Sequence, residues 1–423
     1  MKLGVRQDVL MKALSKGSAS ALTETAQTDT SNVSLLVKSI KITAGKNLVV
    51  ESTTNLMASR YSIPATKENG IVITEEGVVL IPAKELIDWV KVQGPDSVIN
   101  MSLAMLKAPE VINPMGDDND TEFIVKRVGA LKLLSKDETK TGIKWELDCY
   151  DPSEIKSVNF KDVGQKSFEV KVHQLKDAVK KISIASAPKD PEHLLDSMSV
   201  QEFENHIYLA ATDTNRCAVY KLEEAQDVQH KGAFLVPLSL VNELIKISDD
   251  ENTISFSYNI DSERLFVSQD NLEVRIATVD KNKASSFPLV SKLFTLSYKP
   301  LAVIPTQLLQ KTLNSASIVN GVSALFEFVK QDGPNFSITT ISETNKYKPN
   351  ISKSHIEMPI RELKAVWGVK HMLDLLKVTK AESLNLMIPD SKRNVKLTMK
   401  DDDRFSYFAQ VIDNPKYEDN QQQ

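Results

Sequence analysis

The chain has 423 residues, of which 26% are charged and 41% hydrophobic, and its formal net charge is −4. That balance suits an ordinary globular chain of about two to four domains, and the negative sign argues against indiscriminate nucleic-acid binding. No apolar run approaches the roughly 18 residues of a membrane helix, and the opening MKLGVRQDVLMK lacks the apolar core of a signal peptide, so a cytoplasmic protein is expected. Cys149 and Cys217 lie far apart and make no disulfide framework, which agrees with a reducing compartment. Neither GxGxxG nor GxxxxGK[ST] occurs to cradle phosphates.

The chain opens with Arg6 to Lys16, whose Val9, Leu10, Ala13 and Leu14 share a helical face, and the polar stretch from Gly17 to Asn32 reads as a long mobile loop. Strand-like segments lead to IPAKELIDWVK at Ile81 to Lys91, a short helix entered after a breaker. This segment recurs as VPLSLVNELIK at Val236 to Lys246 and as WGVKHMLDLLK at Trp367 to Lys377. Each copy has a breaker near its start (Pro82, Pro237, Gly368), apolar residues at helical spacing, and an acid three residues before a closing Lys. A second pair of helices, Val172 to Ile184 and Thr306 to Ser317, aligns at the same offset as the second and third copies. A period this long suits tandem copies of a whole domain. The reading is α+β: three modules at 1–163, 164–297 and 298–423, each with two helices on antiparallel sheet, and a disordered polar tail at 413–423. The loop MGDDND at Met115 to Asp120 lacks the twelfth-position Glu and glycine spacing of a calcium loop and reads as a solvated acidic turn.

Charge is distributed unevenly. The six helical segments hold fourteen Lys and Arg against six Asp and Glu, a net +8, which leaves −12 for the remainder. Lysines on one surface helix are ordinarily only solvated, but a basic excess over six helices in an acidic chain is the footprint of a polyanion partner. Few aromatics accompany these lysines, so phosphate contact with a duplex is favoured over stacking on single-stranded bases. An enzyme is the rival class. The six histidines are scattered without metal-ligand spacing, no Ser or Cys stands in a nucleophile context, and Cys217 reads as a small buried residue. No cofactor, metal or catalytic residue is expected.

Three tandem modules, the string ATDTNRCAVY at Ala211 to Tyr220, and Phe287-Pro288 together resemble the bacterial beta sliding clamp, the processivity subunit of DNA polymerase III. The resemblance spans Val5 to Ile412 and is divergent enough to allow a phage- or plasmid-type member. It implies a head-to-tail homodimer whose six modules close a ring around duplex DNA, with helices lining the hole. Such a ring would hold DNA without reading bases and tether the replicative polymerase, the clamp loader and other partners through linear peptides, with no membrane involvement. The alternative is a clamp-fold scaffold that binds partners without encircling DNA.

The resemblance assigns DNA-facing roles to Lys12, Lys16, Lys91, Lys176, Lys180, Lys189, Lys246, Lys370 and Lys377. It places a partner-peptide pocket at Leu195, Thr212, Thr214, Asn215, Arg216, Cys217 and Val369, with Gln410, Val411 and Ile412 where the family has its Met-rich ending. Thr214 and Asn215 depart from the family's Gly or Ser followed by His or Tyr, so an altered peptide preference is expected. No Lys or Arg occurs between Gly17 and Val37, where family members carry an Arg at the ring's rim. Ring closure is assigned to Ile318 and Val319 against Leu131 and Leu133, which could equally be ordinary core. The string MPIR at Met358 to Arg361 resembles the family's ending but precedes the last helix, and is read as coincidence.

Overall fold

The computed structural model describes residues 1–22, 33–112, 125–136, 142–155, 158–160, 165–187, 190, 194–222, 233–318, 323–328, 336–339, 351–354, 363–389 and 394–410. Among these are six helices of nine residues or more: α1 (Gln7–Gly17), α2 (Ala83–Lys91), α3 (Val172–Ile182), α4 (Leu238–Ile247), α5 (Thr306–Ile318) and α6 (Val369–Val378). All three copies of the repeated segment are therefore helical. The chain divides into two compact units, one made of Met1–Val172 with Ser239–Thr278, the other of His173–Leu238 with Val279–Gln423. The segment 164–297 supplies strands to both.

The first unit is built on thirteen strands, each paired with its neighbours in antiparallel register. Met57–Pro64 pairs with Leu272–Ala277, which joins distant stretches of sequence into one sheet. Helix α1 packs on α2 and on the strands Asn47–Thr53 and Met57–Pro64. Its inner stripe is Leu10, Ala13 and Leu14, all fully buried, and buried Gln7 donates to the Val90 carbonyl at the end of α2 at 2.9 Å. Burying three such apolar side chains contributes a few kcal/mol, about 1.5–3 for each leucine.

The stretch after α1 departs from the loop expected there. Ser18, Ser20 and Ala21 are buried, and Ala19–Leu22 forms a short 3-10 turn. A close approach explains it: a Cβ on Gly17 would stand 2.7 Å from the Val50 Cβ, so only glycine fits. The freed Gly17 carbonyl then accepts from Ser52 and Ser59 at 2.8 and 3.0 Å, and Ser20 donates to Ser52 at 2.6 Å. A polar composition here reflects buried hydroxyls satisfying one another. The loop Met115 to Asp120, the string MPIR and the tail 413–423 lie outside the described residues.

The second unit is built on eight antiparallel strands that join Ala233–Pro237, Ser197–Phe203, His206–Thr212 and Arg216–Leu222 to Asp402–Gln410, Asn394–Met399, Ser383–Pro389 and Tyr298–Pro305. The junction is the pairing of Arg216–Leu222 with Asp402–Gln410, in which Cys217 lies opposite Phe408. Two shorter pairs complete it: Ser323–Phe328 with Leu363–Gly368, and Phe336–Thr339 with Ile351–Ser354. Helix α6 packs on α5, and Leu175, Ala178, Val179 and Ile182 of α3 and Met372, Leu375 and Leu376 of α6 are buried, as their spacing predicts.

Candidate functional site

In the second unit, the strands His206–Thr212 and Arg216–Leu222 are joined by a tight turn that fixes one arginine. Asp213 accepts from the backbone N–H of Asn215 at 3.1 Å and of Arg216 at 3.0 Å, and Thr212 Oγ1 accepts from Thr214 N–H at 3.2 Å while donating to the Arg216 carbonyl at 2.6 Å. These bonds hold Thr214 at a φ of 78°, in the left-handed region that β-branched residues seldom occupy. The outer end of the turn is tied to the neighbouring strand by Gln410 N–H donating to the Asn215 carbonyl at 2.9 Å.

Arg216 is buried beneath this turn. Its Nε donates to Asp213 at 2.8 Å and its Nη1 to Asp374 of α6 at 3.3 Å, while Asp374 also receives Lys377 at 2.9 Å. Burial alone would raise the Asp374 carboxyl, yet hydrogen bonds from Lys377 and Arg216 hold it below the usual range. Burial and the Arg216 charge lower His371. Arg216 is thus a fixed, already neutralised cation, suited to orienting a polar group and unsuited to capturing a free anion.

Beside it stands an apolar cluster containing Tyr208, Cys217, Phe287, Val290 and Phe408, with Phe294 and Tyr298 partly buried against it. Burial pushes the Cys217 thiol up to about 12, which removes it as a nucleophile at neutral pH. Lys396 stacks over Phe294 at 4.7 Å and lies within 6 Å of the Tyr298 and Phe408 rings. Burial lowers its pKa.

The second unit thus contains all the described residues assigned to the peptide pocket. Leu195 is half-buried, Thr212, Arg216, Cys217 and Val369 are buried, and Thr214, Asn215 and Gln410 are exposed. Val411 and Ile412 lie outside the described residues. Tyr208, Phe294, Lys396 and Phe408 were not anticipated. Phe408 becomes legible only once the register sets it opposite Cys217.

The cations assigned to DNA separate into two groups. Lys12, Lys91, Lys176, Lys180, Lys246, Lys370 and Lys377 are exposed, with Lys246 and Lys377 held by acids three residues earlier on their own helices. Lys16 is a correction: it is buried, bonded to Asp249 at 2.6 Å and set over the Tyr61 ring, so it presents no ammonium to a phosphate. Lys189 lies outside the described residues. Leu131 and Leu133 are a second correction, since both are fully buried within the first unit and offer no apolar face to another chain. The side chain of Ile318 and the whole of Val319 lie outside the description. Among the described residues, no group of three or more His, Cys, Asp and Glu is arranged to hold a metal, and no helix is long and apolar enough to cross a membrane.

Residues 169–283 match the family model of the DNA polymerase III beta subunit, central domain. No curated protein matches the chain. Among solved structures, the beta subunit of Pseudomonas aeruginosa is 15% identical with a TM-score of 0.74, covering 98% of this chain and 100% of its own. The sliding clamp of Bacillus subtilis is 13% identical at 0.75, covering 98% and 99%, and the beta subunit of Thermotoga maritima is 17% identical at 0.72, with the same coverage. This chain therefore has the fold of the bacterial DNA polymerase III beta sliding clamps over nearly its whole length, and its middle segment matches the family model of their central domain.

Proposed function

We propose that the protein is a non-catalytic DNA sliding clamp. In this reading three modules, 1–163, 164–297 and 298–423, repeat along the chain and two chains close a ring around duplex DNA. The observation that carries the proposal is the division of labour on the helices. Apolar stripes such as Leu175, Ala178, Val179 and Ile182 are buried, and the exposed faces carry Lys176 and Lys180 on α3 and Lys370 and Lys377 on α6. Cations that meet phosphate without reading base edges hold a duplex loosely, which permits sliding.

The cluster around Arg216, Cys217 and Phe408 is the proposed seat for a linear peptide from the polymerase, the loader or another partner. An apolar, aromatic cluster beside one oriented guanidinium suits a peptide with large apolar side chains and a polar amide. Thr214 and Asn215 project at its rim, which supports a peptide preference different from that of family members with Gly or Ser there.

The reading is tested by replacing Lys176, Lys180, Lys370 and Lys377 with glutamate and measuring polymerase processivity on primed circular DNA. A clamp loses its stimulation while keeping peptide binding. Unchanged stimulation would instead favour a scaffold that tethers partners without surrounding DNA.

A further inference from the structure

The first unit carries a basic feature that the helices do not account for. Lys2–Arg6, Val98–Ile112, Val125–Lys136 and Gly142–Tyr150 lie side by side, with Ile71–Glu75 beyond the first of them. Their register sets three rows of side chains across the strands. One row is Lys2, Ser102, Lys132 and Glu146; the next is Val72, Gly4, Asn100, Leu134 and Lys144; the third is Arg6, Val98 and Lys136. The middle row is low between Val72 and Asn100, where Gly4 has no side chain. The result is a trough of about 870 Å³.

Its charged lining residues are six cations and one carboxylate, Glu146. Lys132 is bonded to Glu146 at 3.5 Å and Arg6 to Asp8, while Lys2, Lys67, Lys136 and Lys144 have no ion pair among the described residues. Between them lie apolar side chains open to solvent, Val72 at 46% and Val98 at 42% exposure. Five strands at about 4.8 Å spacing make the trough about 19 Å long, the span of about six extended residues.

We infer that this trough is a docking site for an acidic, extended peptide of a partner protein, with carboxylates against Lys136 and Lys144 and an apolar side chain over Gly4. A nucleic acid fits less well. Val72 and Val98 offer nothing to phosphate, and among the lining residues the one aromatic, Trp145, is stacked on Trp89 of α2. The site belongs to the first unit and is independent of the peptide cluster in the second.

The test uses the full chain and a fluorescein-labelled peptide, Glu-Asp-Leu-Glu-Asp-Leu-Asp, read by anisotropy at low salt. Saturable binding is expected, weakened at least tenfold by Lys136→Glu with Lys144→Glu and unchanged by Arg216→Ala. Gly4→Val, which fills the trough and leaves every cation in place, is expected to weaken it comparably; circular dichroism checks that each variant folds. The inference is overturned by an absence of saturable binding, by indifference to the charge reversal or to Gly4→Val, or by tighter binding of a twelve-nucleotide oligothymidylate than of the peptide.

Discussion

Lys12 and Lys16 stand one turn apart on α1, and Lys180 and Lys181 are neighbours on α3, yet within each pair one ammonium is exposed and the other buried. Lys16 reaches Asp249, and Lys181 is held by Asp177 at 2.8 Å and Asp402 at 3.0 Å, over the Tyr220 ring. The paired lysines join stretches far apart in sequence, whereas the exposed ones are available to a ligand. Composition counts all four alike. Burial and partners decide which stabilise the fold and which are left open to a ligand.

The comparison is broken most sharply at α3. Lys181→Ala takes one of two cations from Asp402, whose side chain is 16% exposed and which keeps Arg404 at 2.8 Å, and is expected to cost about 2 kcal/mol in denaturant unfolding. Lys180→Ala should change stability by less than about 0.5 kcal/mol. Equal losses at the two positions would show that exposure had been misassigned.

Acid titration gives the next effect. Burial raises Asp402, but hydrogen bonds from Arg404 and Lys181 outweigh it, and its carboxyl, like that of Asp374, sits below the usual range. A depressed folded pKa contributes stability that is complete above the unfolded value of about 4 and is lost as pH falls through the folded one. Asp402→Asn should therefore flatten the acid limb of the stability curve measured between pH 5 and pH 2, to use rough bounds. An unchanged limb would remove Asp402 from the account.

Lys16→Ala is expected to cost only about 1 kcal/mol, because Asp249 is 44% exposed and water recovers much of its interaction. Smaller still, Thr214→Gly should stabilise the second unit by about 0.5–1 kcal/mol in the same unfolding assay by releasing the left-handed backbone. It leaves the charges on Arg216 in place and so separates backbone strain from ion pairing.

Much of the fold was legible because periodicity reports burial directly. The stripes of α3 and α6 appear in the sequence as Leu175, Ala178, Val179 and Ile182 and as Met372, Leu375 and Leu376. The string ATDTNRCAVY draws attention to the residues around Arg216 through the family resemblance, but it does not show the turn they form or its hydrogen bonds. What stayed hidden depends on how distant stretches of the chain meet. Phe408 opposite Cys217, Asp374 beneath Arg216 and Asp249 beside Lys16 each join residues more than a hundred positions apart. The same cause hid the burial of Leu131 and Leu133. The buried serines at Ser18 and Ser20 read as loop because composition cannot show that a neighbouring strand satisfies them.

The central claim is topological, and a topological measurement tests it most directly. Protein diluted until chains separate is concentrated again with nicked circular duplex DNA, passed over a sizing column in moderate salt, and then treated with an enzyme that cuts the circle once. The account predicts that protein travels with the circle and is released when the circle is opened. Retention that survives cutting, or no retention on either form, would contradict encirclement.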